Sequence, residues 1–171
     1  VIGLDKYFSS LDDDAKAYLK DFGAATASNG AVGLYHIENL TPEAVDLGRA
    51  LIKENAPTYV IDDEELDRIE KGYPIIWKDK DATPKLAFIG CPHLSRAQLS
   101  SWSKRIHESL KAKGKDKVSI KTIMTAAPGV MEEFKKTEEG KRLLKEGVVL
   151  SHICPLMYMN NPKCGTMPVI T

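Results

Sequence analysis

The sequence predicts an α/β protein built on a mostly parallel sheet with helices on both faces. Two observations carry this prediction. Short apolar runs rich in β-branched residues alternate along the chain with longer stretches whose apolar residues recur at helical spacing. With 171 residues, the chain is also long enough to bury a core without disulfides or metals to staple it.

The first half of the chain predicts three helices that alternate with two strands. Three consecutive aspartates, Asp12 to Asp14, suit the positive end of the first helix dipole. Thr41 is a good N-cap for the second helix, with Pro42 at its first position. The predicted helices cover residues 10–28, 41–55 and 62–71, and the predicted strands cover 31–37 and 58–61.

The second half repeats this rhythm after a polar, proline-bounded segment at 78–84, which is a surface loop or a hinge. Ser95 and Gln98 have the spacing of a capping box at the start of a helix. The predicted strands cover residues 85–89, 118–124, 148–151 and 168–170, and the predicted helical regions cover 95–113 and about 126–146.

Composition limits the classes of function. Lys and Arg number 24 and Asp and Glu also number 24, which argues against a nucleic acid or a membrane surface as the main partner. No apolar stretch approaches the ~20 residues that span a bilayer, and no signal peptide opens the chain. Three cysteines at wide spacing do not indicate a disulfide framework, so we expect a cytoplasmic protein.

The chain begins at Val1 rather than at a methionine, and it ends in what reads as a strand. We therefore expect a piece of a longer protein, with residues 1–171 forming a single α/β domain.

The three cysteines share a local context. Cys91 and Cys154 each lie just past a predicted strand and directly before a proline, and Cys164 lies in a segment rich in turn-forming residues. In open α/β sheets, ligands bind in the crevice beyond the carboxyl ends of the strands. We therefore predict that the three thiols meet at one crevice.

Three uses of such thiols remain open. They could be buried core residues of a non-catalytic α/β module, since free cysteine is among the most buried residue types. They could bind zinc with His93 or His152, although nine residues between Cys154 and Cys164 are atypical of zinc motifs. Finally, three thiolates could hold an iron–sulfur cluster with one iron left for substrate, which favours dehydration or hydration of a hydroxy acid.

Several motifs resemble the aconitase X family, and the resemblance runs over essentially the whole chain. The cysteine-bearing motifs are the specific ones. The matching segments are Ser28–His36, Leu40–Ala44, Gly90–Ser95, Ser151–Leu156 and Asn160–Thr166. Large subunits of this family are considerably longer, which agrees with a fragment of an aconitase-like catalytic domain.

The resemblance implies a hydro-lyase, or dehydratase, that works as a heterodimer with a small swivelling subunit or domain. It implies that Cys91, Cys154 and Cys164 bind an iron–sulfur cluster. Four-iron and three-iron forms are favoured, and other iron forms remain open. The archaeal branch is the most similar; its reaction converts 5-phosphomevalonate to anhydromevalonate phosphate and water in the mevalonate pathway of isoprene biosynthesis. Other branches dehydrate cis-3-hydroxy-L-proline. The resemblance places the catalytic base outside this chain.

Four residues are candidates for binding the substrate: His93, Asn160, Asn161 and Ser28. The histidine could instead make a backbone bond, and the two asparagines need no role beyond forming a turn. Ser28 is a candidate through the resemblance alone.

Overall fold

A computed structural model describes residues 1–8, 10–74, 79–154, 157–158, 160–162 and 165–171. The chain forms two compact units. One contains Val1–Ser9 and His36–Ala82, and the other contains Ser10–Tyr35 and Thr83–Thr171. The change of unit after Ala82 falls within the segment 78–84 that was predicted to be a loop or hinge. A single domain over 1–171 stays a prediction.

The described residues contain six α-helices, two short 3-10 helices and four strands. The α-helices are α1 Asp13–Gly30, α2 Pro42–Leu47, α3 Asp63–Gly72, α4 Arg96–Ala112, α5 Pro128–Lys136 and α6 Glu138–Lys145. The 3-10 helices are Leu4–Tyr7 and Gly48–Leu51. The strands are β1 Leu86–Leu94, β2 Lys121–Ala126, β3 Val148–Ser151 and β4 Val169–Ile170.

The four described strands form one parallel sheet in the order β3-β2-β1-β4. The chain steps from β1 to β2 through α4, and from β2 to β3 through α5 and α6. Two right-handed crossovers in the same direction place their helices on the same face of a sheet. The predicted α/β class with a parallel sheet is confirmed.

The main core lies where these crossover helices pack on the sheet. Its buried residues include Met124 and Val148 from the strands, and Leu99, Phe134 and Leu143 from α4, α5 and α6. Burial on both faces gives the near-continuous apolar runs that are typical of parallel strands.

The opposite face of the sheet has a smaller core. Leu86, Phe88 and Ile123 are buried there because side chains alternate between the two faces of a strand. Tyr158, in the return from β3 to β4, packs on this core with its ring centroid 5.4 Å from that of Phe88. This contact holds the segment after Cys154 against the sheet.

The capping box predicted at the start of α4 is present. The Ser95 hydroxyl accepts from Gln98 N at 3.1 Å, and Gln98 Oε1 accepts from Ser95 N at 2.9 Å. These bonds satisfy amide groups that the first helical turn leaves unpaired. They fix where α4 begins, only four residues after Cys91.

The predicted strand at 31–37 is wrong. Helix α1 continues to Gly30, and Ala31 ends it in the left-handed region with φ 54°. The chain then returns along α1, where Tyr35 Oη donates to Leu19 O at 2.8 Å. Its ring packs edge-on against Phe22 at 5.0 Å. The apolar residues of this segment follow the helix instead of entering a sheet, and Leu34 is 73% exposed.

Two predictions in the unit that contains His36–Ala82 are also wrong. The helix expected over 41–55 ends at Leu47, because Gly48 takes a φ of 54° and the chain continues as a 3-10 helix. Residues 58–61 are exposed, and they form no strand in the described part of the chain.

Candidate functional site

The carboxyl ends of β1, β2 and β3 lie at one level of the sheet. Thr125 of β2 is in register with Ser151 of β3, and its hydroxyl donates to the Gly90 carbonyl of β1 at 2.5 Å. Cys91 lies inside β1, which continues to Leu94 beyond the predicted strand end at residue 89, and Cys154 follows β3. Because adjacent strands are about 5 Å apart, these two outer strands of the trio are roughly 10 Å apart. Both cysteines therefore lie at the same edge of the sheet.

Gly90 allows β1 to approach β2 closely just before the first cysteine. Its φ is 119°, and a Cβ atom there would lie 2.5 Å from Thr125 Oγ1 and 2.7 Å from Thr125 O. The pairing of β1 with β2 shifts between Ile89 and Leu94. A bulge of this kind redirects the side chains of the residues within it. Cys91 is one of those residues.

The two described cysteines, Cys91 and Cys154, are free and exposed. They are not core residues, so the buried-cysteine interpretation does not describe them. Both sulfur atoms can therefore be reached by a ligand or a metal ion from solvent. Cys164 lies outside the described residues.

The ligand set itself stays a prediction. Within the described ranges, no group of three or more His, Cys, Asp or Glu side chains is placed to hold a metal ion. Cys164, the third predicted ligand, lies outside these ranges.

A cleft of about 680 Å³ opens beside Cys91. It lies between α1, the C-terminal part of β1 and the first turns of α4. Ser28 and Cys91, which are 63 positions apart in the sequence, line the same cleft. Ser28 Oγ donates to Ala24 O at 2.6 Å, so its hydroxyl can offer a ligand an acceptor. Further lining residues are Asp21, Asn29, Pro92, Leu94, Gln98 and Trp102.

Polar residues in and beside this cleft were missed by the sequence analysis. Asp21 lines the cleft and lies 2.9 Å from the ammonium group of Lys20. Gln98 Nε2 donates to Asp21 Oδ2 at 3.0 Å. The sequence does indicate that Asp21 and Ser28 lie on the same face of the predicted helix, because they are seven residues apart.

Of the other predicted substrate ligands, His93 lies near the end of β1, and Asn160 and Asn161 lie in a turn. His93 is partly buried, and its carbonyl accepts from Lys20 Nζ at 2.6 Å. Asn160 and Asn161 are exposed. The Asn161 amide donates to Tyr158 O at 3.1 Å, and its carbonyl accepts from Gly165 N at 2.8 Å, as expected of a turn. Substrate binding by these three residues and by Ser28 stays a prediction.

In the described part of the chain, no helix has the length and apolar character needed to cross a membrane. The cytoplasmic location stays a prediction.

The aconitase X resemblance is confirmed by sequence and by structure. Residues 6–71 match the family model described as "Aconitase X second domain". The chain is also similar to the crystal structure of Thermococcus kodakaraensis aconitase X in its holo-form, with a TM-score of 0.59 and 26% identity. That alignment covers 80% of this chain and 32% of the crystallised one. The chain is thus similar to the aconitase X family in sequence and in structure.

Curated relatives in this family are named "Phosphomevalonate dehydratase large subunit". The protein from Thermococcus kodakarensis is 32% identical over 124 residues, which are 72% of this chain and 29% of the relative. The protein from Methanosarcina mazei is 39% identical over 98 residues, which are 57% of this chain and 21% of the relative. The chain thus spans less than a third of the length of these two relatives.

Proposed function

We propose that this chain is part of the large subunit of an iron–sulfur-dependent hydro-lyase that dehydrates a small hydroxy acid. The favoured reaction converts 5-phosphomevalonate to anhydromevalonate phosphate and water. The observation that carries the proposal is the placement of two free, exposed thiols, Cys91 and Cys154, at one carboxyl edge of a parallel sheet. The names of the curated relatives support the choice of substrate.

The cofactor is proposed to bind through Cys91, Cys154 and Cys164. Thiolates are the usual protein ligands of iron–sulfur clusters, and the two described thiols are free and accessible. When bound, the cluster supplies a Lewis-acidic iron that weakens the bond between carbon and the substrate hydroxyl.

The cleft beside Cys91 is proposed to hold the rest of the substrate. Its volume of about 680 Å³ is within the range of small-molecule sites. The expected substrate is an anion, and a free carboxylate in the cleft would repel it. Lys20 neutralises the Asp21 carboxylate at 2.9 Å, which removes that repulsion. Ser28, His93, Asn160 and Asn161 are proposed to orient the substrate through hydrogen bonds.

Dehydration removes a hydroxyl from one carbon and a proton from its neighbour, and the two leave as water. The proton requires a base, which we propose to lie on a small swivelling subunit or domain that closes over this edge of the sheet. In this proposal, the large subunit that contains this chain holds the cofactor and the substrate, and the partner supplies the base.

The test is anaerobic purification of the complete enzyme, formed by the full-length large subunit containing this sequence and its small-subunit partner. We expect a brown protein that contains iron and sulfide. A colourless, metal-free protein would instead support a non-catalytic module, and zinc as the only metal would support a zinc site. Assays on 5-phosphomevalonate and on cis-3-hydroxy-L-proline then decide between the two substrates.

Cys154→Ser tests the ligand set. We expect this variant to lose the cluster while the α/β fold remains. His152→Gln is the matched control, because it changes an exposed residue two positions earlier and should retain the iron–sulfur spectrum. A normal cluster in Cys154→Ser would remove Cys154 from the site, and loss of metal in both variants would favour a site with a histidine ligand.

A further inference from the structure

Lys20 connects three parts of the cleft wall. From α1, its ammonium group donates to the carbonyl of His93 at 2.6 Å and to Gln98 Oε1 at 3.0 Å. It also lies 2.9 Å from Asp21 Oδ1. A lysine ammonium group has three hydrogens, so these three acceptors match its full donor capacity. Lys20 is therefore committed to contacts within the protein.

Gln98 links this lysine to the start of α4. Its Oε1 accepts both from Lys20 Nζ and from Ser95 N, and its Nε2 donates to Asp21 Oδ2 at 3.0 Å. The capping box that fixes the first turn of α4 is thus joined to two consecutive residues of α1. These bonds join residues more than 70 positions apart in the sequence.

Apolar burial along α1 is limited. Of the residues of α1, all of which the structure describes, only Ala15 and Ala17 are fully buried, and Leu19 and Phe22 are half-buried. The polar contacts of Lys20 therefore add to a modest apolar area. Hydrogen bonds from a charged group are stronger than neutral ones, and they are stronger again where the group is partly shielded from water. Lys20 meets both conditions, because its side chain is 33% exposed.

The loop that carries Cys91 needs such an anchor. Between Ile89 and Leu94 the regular pairing of β1 with β2 is interrupted. Cys91 lies inside this interruption, and the bond from Lys20 Nζ to the His93 carbonyl lies two residues after it. Lys20 therefore holds the segment around Cys91 in the part of β1 where regular pairing with β2 is interrupted.

We propose that Lys20 is a positioning residue that sets where Cys91 stands at the cleft. It acts through the His93 carbonyl and Gln98, and does not touch the substrate. The catalytic consequence of this placement rests on the proposed function, whereas the structural consequence does not.

Hydrogen–deuterium exchange of the complete two-subunit enzyme tests the structural part. In Lys20→Met, which keeps most of the length of the side chain and removes its donors, amides in 91–95 should exchange at least about tenfold faster. The peptide covering α5 and α6 should not change. Lys20→Arg should restore most of the protection. Lys16→Met is the matched control, since Lys16 lies one turn earlier on α1 with a side chain 64% exposed.

The iron–sulfur spectrum and the steady-state constants of the same variants test the functional part. Lys20→Met should alter the electron paramagnetic resonance signal of the reduced cluster and lower kcat about tenfold or more. KM should rise as well, because the Asp21 carboxylate loses its ion-pair partner. Exchange in 91–95 within twofold of wild type would overturn the proposal, as would a normal cluster signal together with normal kcat. If the wild-type enzyme contains no cluster, the proposed function fails, and exchange still decides whether Lys20 positions the loop.

Discussion

Replacing Gly90 by alanine should force β1 away from β2 just before Cys91. The new methyl group would lie 2.5 Å from Thr125 Oγ1 and 2.7 Å from Thr125 O, on a backbone with φ 119°. An L-residue in such a region costs about 1–3 kcal/mol, and overpacking a filled site costs a further ~1–3 kcal/mol. Thr125 is fully buried in the central strand of the trio, so it has little room to yield. We expect the free energy of unfolding to fall by about 2–6 kcal/mol.

Urea denaturation of Gly90→Ala measures this loss directly. Gly129→Ala is the matched control, since that glycine lies in the first turn of α5, where an added methyl group would meet no atom within 4 Å. The control should gain up to about 1 kcal/mol from the better helix propensity of alanine. A Gly90→Ala protein as stable as the wild type would refute the close approach of β1 to Thr125.

Three further predictions concern single positions. Phe134→Ala should lower the free energy of unfolding by about 3–5 kcal/mol, because the ring is fully buried in the main core; a loss under about 1 kcal/mol in urea denaturation would contradict that packing. Ala31→Gly should raise the free energy of unfolding by about 0.5–1 kcal/mol, and with it the melting temperature, because alanine is strained at φ 54°. A destabilised variant would place Ala31 outside the left-handed region. A hydrogen bond from Arg68 lowers the pKa of the Glu65 carboxyl. Arg68→Gln should raise that pKa toward its ordinary value in an NMR titration. The small stabilisation by this pair is present above the unfolded-state pKa and is lost as pH falls through the folded-state pKa; an unchanged titration would show that the pair does not form.

Elements specified by local patterns were predicted well. Strand β3 occupies 148–151 as expected, and α4 begins at the predicted capping box of Ser95 and Gln98. The strand predicted over 31–37 was wrong although its apolar residues match a strand. The left-handed turn at Ala31 and the hydrogen bond from Tyr35 to Leu19 hold the start of this segment along α1 instead. Nothing in the local pattern distinguishes these two outcomes.

The site was only partly predictable for a related reason. Cys91 and Cys154 could be placed at one sheet edge, because each follows a predicted strand of the same parallel sheet. The roles of Lys20 and Gln98 could not, because they depend on α1 packing beside a loop more than 70 residues away. Contacts at such separation follow from tertiary packing and leave little trace in sequence spacing.

The placement of three sulfur atoms around one cofactor is tested most directly by a crystal structure of the anaerobic complete enzyme at the iron absorption edge. Our account predicts a single compact iron peak bonded to the sulfur atoms of Cys91, Cys154 and Cys164. Iron bound elsewhere, or these three sulfur atoms at separate places with no iron between them, would contradict it.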